Sequence, residues 1–296
     1  MTAPVSAFAI WMMALRPRTL SLSVVPVLVG AGLAWNLGGM IELTSLLSVL
    51  VAAISIQIAT NLLNDAQDGE RGEDGPDRLG PPRVTALGLL PARRVKAVGW
   101  GFFALAALAG IYLVMLGGWP ILALGAVSVL AGWAYSAGPR PISHTPLGEL
   151  FVLAFFGIAA VGGTVWLQGD FPGWESLVVG IALGAFAAAV LLVNNHRDAA
   201  SDARQGRRTL AMLLGERGSA RLYGLLMLLP YGLLVLLHRL MPEIEVWPAV
   251  ASLPLAWVLV KRFPHIQGRE FNHLLARTAQ TQLLYGLLLV FGLAVS

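Results

Sequence analysis

No cysteine occurs among the 296 residues, which excludes disulfides, thiolate metal sites and a cysteine nucleophile, and leaves the redox compartment open. Charge is scarce too: 12% of the residues are charged, about half of what a soluble globular domain carries. Metal-ligand spacing is missing from His144, His238, His265 and His273, which argues against a histidine-bound zinc. The first ten residues lack a basic n-region, and "RPRTL" interrupts the first apolar stretch, so no cleavable signal is expected. What is present in excess is apolar side chain. Hydrophobic residues make up 57% of the chain and mean hydropathy is +0.73, more than a soluble core of this size can hide. The expected class is an all-α, polytopic membrane protein.

Apolar segments of bilayer-spanning length recur at 19–37, 43–63, 95–116, 119–137, 147–168, 175–195, 219–239, 246–262 and 278–295. They predict nine transmembrane helices in one domain covering 1–296, since nothing between them can form a second core. Basic residues then set the orientation. Of the 20 Lys and Arg residues, all but Arg239 fall in the loops of one side, whereas Glu42, Asp170, Glu175, Glu243 and Glu245 fall on the other. This bias predicts a multi-pass protein of the cell (inner) membrane with a cytoplasmic N-terminus. It also accounts for the pI near 9.8 by topology, with no nucleic-acid partner required.

Acid is concentrated in two places, both on the basic side. "NLLNDAQDGERGEDGPDR" (61–78) follows the second apolar segment, and "NNHRDAASDARQGRRTL" (194–210) follows the sixth. Asn194, Asp198 and Asp202 are spaced i, i+4, i+8 and share one helical stripe. Gln57, Asn61, Asn64 or Asp65, and Asp68 form a similar stripe as the second helix leaves the membrane. Four crossings separate the clusters, which returns the chain to the same face. Each cluster is followed by a basic residue near a threonine and a short apolar segment, "RVTALGLLPARRV" and "RRTLAMLLGERGSARL". This pattern predicts an internal repeat with the two stripes facing across a shared cavity. For loop acids such as Glu70, Glu73 and Asp77, simple solvation and a functional role stand equally open, but solvation does not explain Asn61, Asn64, Asn194 and Asn195, because polar groups near hydrocarbon are costly.

Opposed carboxylates without His or Cys ligands suit a hard cation such as Mg²⁺, which takes a few carboxylates together with substrate phosphate oxygens. Arg83, Arg140, Arg207 and Arg208 are available to neutralise the remaining phosphate charge. A ligand with a charged head and an apolar tail fits the membrane position, and a polyprenyl diphosphate has both. Ionisation of its allylic C–O bond in a water-poor cavity would deliver a prenyl cation to an electron-rich acceptor.

Four segments in order carry a family resemblance: "LRPRTLSLSVVPVLVG", "NLLNDAQDGERGEDGPDRLGPPR", "YSAGPRPISHTPLGEL" and "NNHRDAASDARQGRRTLAMLLGE". Together they resemble the UbiA superfamily of intramembrane aromatic prenyltransferases, most of all its 1,4-dihydroxy-2-naphthoate polyprenyltransferase branch. The resemblance implies helices around a central cavity and Mg²⁺-dependent transfer of a prenyl group to an aromatic acid in menaquinone biosynthesis. It places Asn64 and Asp68 at the first motif's metal and diphosphate positions. The superfamily's next Asp falls on Gly72 here, and the naphthoate branch's later acid on Asp74, with Asp65 or Asp77 as sharers of that role. Asp198 and Asp202 match the second motif as metal ligands, and Asn194 as a substrate contact. Arg207 matches the basic diphosphate contact, with Arg208 as a competitor. Tyr135 and Arg140 match the segment between the motifs, Arg16 the Arg-Pro segment, Arg83 the end of the first motif, and Glu149 a common acid. Asp65, Asp68 and Asp198 are the expected catalytic carboxylates, with Asp65 or Asp74 assisting deprotonation of the acceptor. A transporter would set its acids near the bilayer midplane, and a CDP-alcohol phosphotransferase would need an Asp-Gly-x-x-Ala-Arg segment that is missing. 4-Hydroxybenzoate, homogentisate and a haem precursor stay open as acceptors.

Overall fold

The structure is a computed structural model describing residues 6–72, 78–136 and 141–296. Among these residues the regular structure is entirely helical. The helices are α1 (Ala7–Leu15), α2 (Ser21–Asn36), α3 (Leu43–Arg71), α4 (Ala92–Ser136), α5 (Gly148–Leu167), α6 (Trp174–Arg204), α7 (Leu210–Leu240), α8 (Leu253–Arg262) and α9 (Glu270–Val295).

The 45 residues of α4 would run about 68 Å if straight, over twice the ~30 Å of a hydrocarbon core. The helix instead breaks at Gly118 (φ 68°, ψ −153°), a backbone conformation that only glycine adopts at low cost. The Phe103 ring lies 3.4 Å from where a Cβ on Gly132 would sit, so the two arms fold back on each other. Pro120 opens the second arm, where its missing N–H costs little. These arms carry the expected spans 95–116 and 119–137. Six helices among the described residues are long and apolar enough to cross a membrane, or seven when the bent pair α1 and α2 counts as one. That measure does not confirm the exact count of nine expected spans. It takes α4 as one helix, and 246–262 forms a 3-10 turn, Trp247–Ser252, before the ten-residue α8.

Burial identifies the centre. In the most apolar stretch of α6, 83% of residues are buried, against 11% in α4. Helix α6 is central because Gly180, Ala182, Gly184, Ala185, Ala187, Ala188 and Ala189 let neighbouring backbones approach closely. The apolar core around it draws Val25 and Val29 from α2, Tyr223 and Met227 from α7, and Tyr285 and Leu289 from α9. Opposite Gly180 and Gly184, α5 widens into a π-helical turn over Ala154–Ala159. From that turn Phe155, Phe156 and Ala159 reach a large internal cavity.

The two ends of the bundle differ chemically. At one end Asn36 donates to the Leu293 carbonyl (2.6 Å), and the Glu42 N–H donates to Gln168 (2.7 Å). Both acid-rich motifs reach the opposite end, where Arg207 meets carboxylates from each.

Candidate active site

Helix α3 ends at Gly72 (φ 66°), after its last turns have presented Asn61, Asn64, Asp65 and Asp68. Asp65 and Asp68 are both buried, yet their partners differ. Asp65 accepts from the Thr85 hydroxyl (2.5 Å) and from the backbone N–H groups of Val84 (3.3 Å) and Thr85 (3.2 Å). Thr85 also donates to the Asp65 carbonyl. Asp65 therefore pins the segment 78–85, a strap that runs from the first motif toward α4. That strap delivers Arg83, which pairs with Asp68 and donates to the Asn64 carbonyl at 3.0 Å.

The last turns of α6 supply the other side. Asn194, Asp198 and Asp202 line a small polar chamber of about 30 Å³ together with Arg78, Arg83, Asn195 and Arg207. Arg197 lies along the Asp198 carboxylate with two bonds, 2.8 and 2.6 Å, and also donates to Asn194 at 2.9 Å. Asn195 donates to Glu149 at 2.9 Å. Arg207, placed by the turn between α6 and α7, joins the two sides. Its guanidinium lies 3.3 Å from Asp68 and 3.4 Å from Asp202. Asp68 lines neither this chamber nor the larger cavity beyond it, so what joins the two stripes is this arginine, which bridges Asp68 and Asp202.

Arg78, Arg83, Asn194, Asn195 and Arg207 also line a cavity of about 1030 Å³ that runs on between the helices. Its polar end adds Arg16, Asn61, Asn64 and Tyr135, while Leu113, Ile121, Phe151, Phe155 and Phe156 line its apolar length. Along α3 the lining extends from Asn64 to Val49, about 22 Å at the helical rise. Arg16 enters through an unusual backbone: it is the one non-glycine with positive φ (54°) among the described residues, ending α1 ahead of Pro17. Such strain persists where surrounding contacts enforce it, and it clusters at functional sites. His144, half-buried nearby, is pushed down to about 4 by burial, reinforced by the charge of Arg207. It stays neutral at physiological pH, so arginine carries the positive charge at this mouth.

A charged mouth on an apolar chamber is the shape expected for a lipid-linked anion. Residues 23–292 match the UbiA prenyltransferase family. The chain belongs to that family. A 1,4-dihydroxy-2-naphthoate octaprenyltransferase of Mycobacterium tuberculosis is 38% identical over 74% of this chain and 74% of its own. One of Escherichia coli is 34% identical over 97% of this chain and 95% of its own. The structure of a UbiA homolog from Archaeoglobus fulgidus bound to DMAPP and Mg2+ superposes with a TM-score of 0.67 at 15% identity, covering 95% of this chain and 99% of that one. At that identity the fold is what the two share.

For this UbiA prenyltransferase the structure sorts the expected residues. It brings Asn64, Asp68, Arg83, Asn194, Asp198, Asp202 and Arg207 together at one mouth, with Arg16 and Tyr135 on the adjoining cavity wall. Arg208 is exposed and lines neither chamber; its backbone N–H donates to the His144 carbonyl. Asp74 and Arg140, with Glu73 and Asp77, lie outside the described residues. Arg197 and Asn272 were missed by the motif reading. Arg197 stands inside the second motif, where its charge beside Asp198 was a usable signal. Asn272, 75 positions beyond Arg197, offered none.

Do these residues suit a divalent cation? The Asn64 side-chain oxygen is buried without a partner, a costly state that an incoming ligand relieves. Asp198, Asp202 and Asn194 supply further hard oxygens. Among the described residues no three His, Cys, Asp or Glu side chains stand close enough together to hold a metal ion by themselves. The fit to Mg²⁺ rests on the chemistry of these oxygen donors, since Mg²⁺ is held by one or two carboxylates together with water and substrate phosphate oxygens.

Proposed function

We propose that this enzyme transfers a polyprenyl group from a polyprenyl diphosphate to an aromatic acid with the help of Mg²⁺, and that the acid is 1,4-dihydroxy-2-naphthoate. The observation carrying this reading is Arg207 bridging Asp68 of the first motif and Asp202 of the second, at the mouth of an apolar cavity of about 1030 Å³. The names of the two bacterial relatives support the acceptor, and the role in menaquinone biosynthesis is the one the motif resemblance implies. The Archaeoglobus homolog, bound to DMAPP and Mg2+, supports the diphosphate and the metal.

Asn64, Asp68, Asp198 and Asp202 are the residues that would hold the cation, with Asn194 beside them. When bound, Mg²⁺ neutralises charge on the departing diphosphate. Arg83 and Arg207 turn from their carboxylates toward phosphate oxygens, with Arg16 and Arg78 on the same wall. The allylic C–O bond breaks with its electron pair leaving on the diphosphate, while Phe151, Phe155 and Phe156 keep water from the resulting cation. The ring carbon bearing the carboxylate forms the new C–C bond with a ring π pair, and the adjacent hydroxyl becomes a carbonyl as its proton is lost to solvent at the polar mouth. CO₂ then leaves from that carbon, its bonding pair restores the ring, and a proton taken up at the carbonyl oxygen returns the hydroquinone. Tyr135 and Asn195 flank the space between head group and cavity, where an acceptor would stand. With both carboxylate oxygens committed to the strap, Asp65 is assigned to holding Arg83 in place.

The deciding assay combines purified enzyme, one polyprenyl diphosphate and a panel of aromatic acids, with products identified by mass. The naphthoate is expected to give a product lacking CO₂ together with released diphosphate, both abolished by EDTA and restored by Mg²⁺. Turnover of 4-hydroxybenzoate instead would move the acceptor assignment. Release of no diphosphate with any acid would sink the reading.

The mouth is assigned to the cytoplasmic side of the inner membrane, as the basic loops favour. The cysteine-free chain allows a clean check with single replacements at two exposed positions, Arg269→Cys at the mouth end and Glu243→Cys at the other. An impermeant maleimide on intact cells, given access to the periplasm, is expected to label Glu243→Cys alone. Labelling of Arg269→Cys alone would invert the topology.

A further inference from the structure

We infer that Asn272, in the first turn of α9, is a positioning residue that sets the spacing between the two acidic helix ends. This rests on the reading of the site given above. Both halves of its amide are engaged, one by each motif. Its side-chain oxygen accepts from Arg197 at 2.7 Å, and its nitrogen donates to the Leu79 carbonyl at 2.9 Å.

Each bond leads to an acid. On one branch, Leu79 lies in the strap that carries Arg83 to Asp68. On the other, the fully buried Arg197 side chain holds both Asp198 oxygens. The branches also touch directly: a Cβ added to Gly80 would sit 2.5 Å from the Arg197 guanidinium. Helix α9 contributes no carboxylate to the mouth, yet one amide on it fixes where two of the carboxylates stand.

A guanidinium beside Asp198 weakens that carboxylate's attraction for a cation, so its benefit lies in orientation. With Arg197 clamped on one edge by Asn272, Asp198 is held in one rotamer and does not have to be ordered when the ligand arrives. Groups that orient a metal ligand in this way contribute 10–100-fold to affinity. Asn272 touches neither the cation nor the diphosphate; it acts through Arg197 and the strap.

The test uses the full chain in detergent with Mg²⁺ and inorganic diphosphate as the probe. Asn272→Leu removes both bonds; Asn272→Asp keeps an oxygen toward Arg197 and loses the donor to Leu79. Asn272→Leu is expected to weaken Mg²⁺-diphosphate binding on the order of tenfold, and to raise KM for the prenyl diphosphate similarly with kcat within about twofold. Hydrogen exchange at the Val84 and Thr85 amides, which bond to Asp65, is expected to speed up in both variants. Asn272→Asp is expected to show a smaller loss of binding, and it carries the test if Asn272→Leu does not fold. Wild-type binding and exchange in a folded variant would overturn the inference, as would a fall in kcat with unchanged binding. Failure of the wild-type enzyme to bind Mg²⁺-diphosphate would overturn the reading of the site itself.

Discussion

Asp68→Asn is expected to lower turnover by about 10² to 10³-fold, the usual cost of removing one charge-stabilising group from a preorganised site, while leaving the protein folded. The fold should survive because the amide is isosteric and still offers an oxygen. Arg83 also keeps the Asn64 carbonyl at 3.0 Å, and Arg207 keeps Asp202 at 3.4 Å. What disappears is the negative charge that places two arginines and a cation around the diphosphate. Asp198→Asn should lose activity on the same scale, because Arg197 is already positioned along that side chain and the amide cannot match both of its bonds. Initial rates at saturating Mg²⁺, measured beside thermal unfolding, check both variants. Near-normal turnover in either would count against the metal and diphosphate assignment.

Gly157→Val should have the largest effect on folding. A Cβ on Gly157 would lie 2.1 Å from the Gly180 carbonyl oxygen and 2.6 Å from the Gly184 Cα. Both are backbone atoms of the central helix α6, so no side chain can swing aside to make room. Inserting even one or two carbons into a well-packed interior costs about 1–3 kcal/mol, and here the helices themselves must separate. The π-helical turn of α5 would move with them, displacing Phe155 and Phe156 from the cavity wall. The expected result is little monodisperse protein by size-exclusion chromatography and a lowered melting temperature. Gly162→Ala is the control: on the same helix its nearest neighbour is the Pro172 Cβ at 3.7 Å, an ordinary contact. Equal behaviour of the two variants would show that α5 and α6 do not pack this closely.

Much of the site was legible because helical periodicity is local. The i, i+4, i+8 spacing of Asn194, Asp198 and Asp202 required them to share a face, and those three do line one chamber. Adjacent positions were harder to separate. Asp65 and Asp68 are three apart on the same helix, yet one secures a strap and the other meets two arginines. Arg207 and Arg208 are neighbours in sequence, and only Arg207 points to the acids. The direction of each side chain depends on what the rest of the chain packs against that turn.

The amino-acid sequence by itself determined an all-helical membrane protein with its basic residues at one end and two acid-bearing helix ends returning there. Those properties follow from hydrophobic run length, charge distribution and spacing along single helices, which need no partner. Tertiary structure alone decided the close seating of α5 on α6 and the joining of Arg197 to Leu79 through Asn272. Each depends on contacts between segments far apart in the chain, whose geometry is set only when the helices pack.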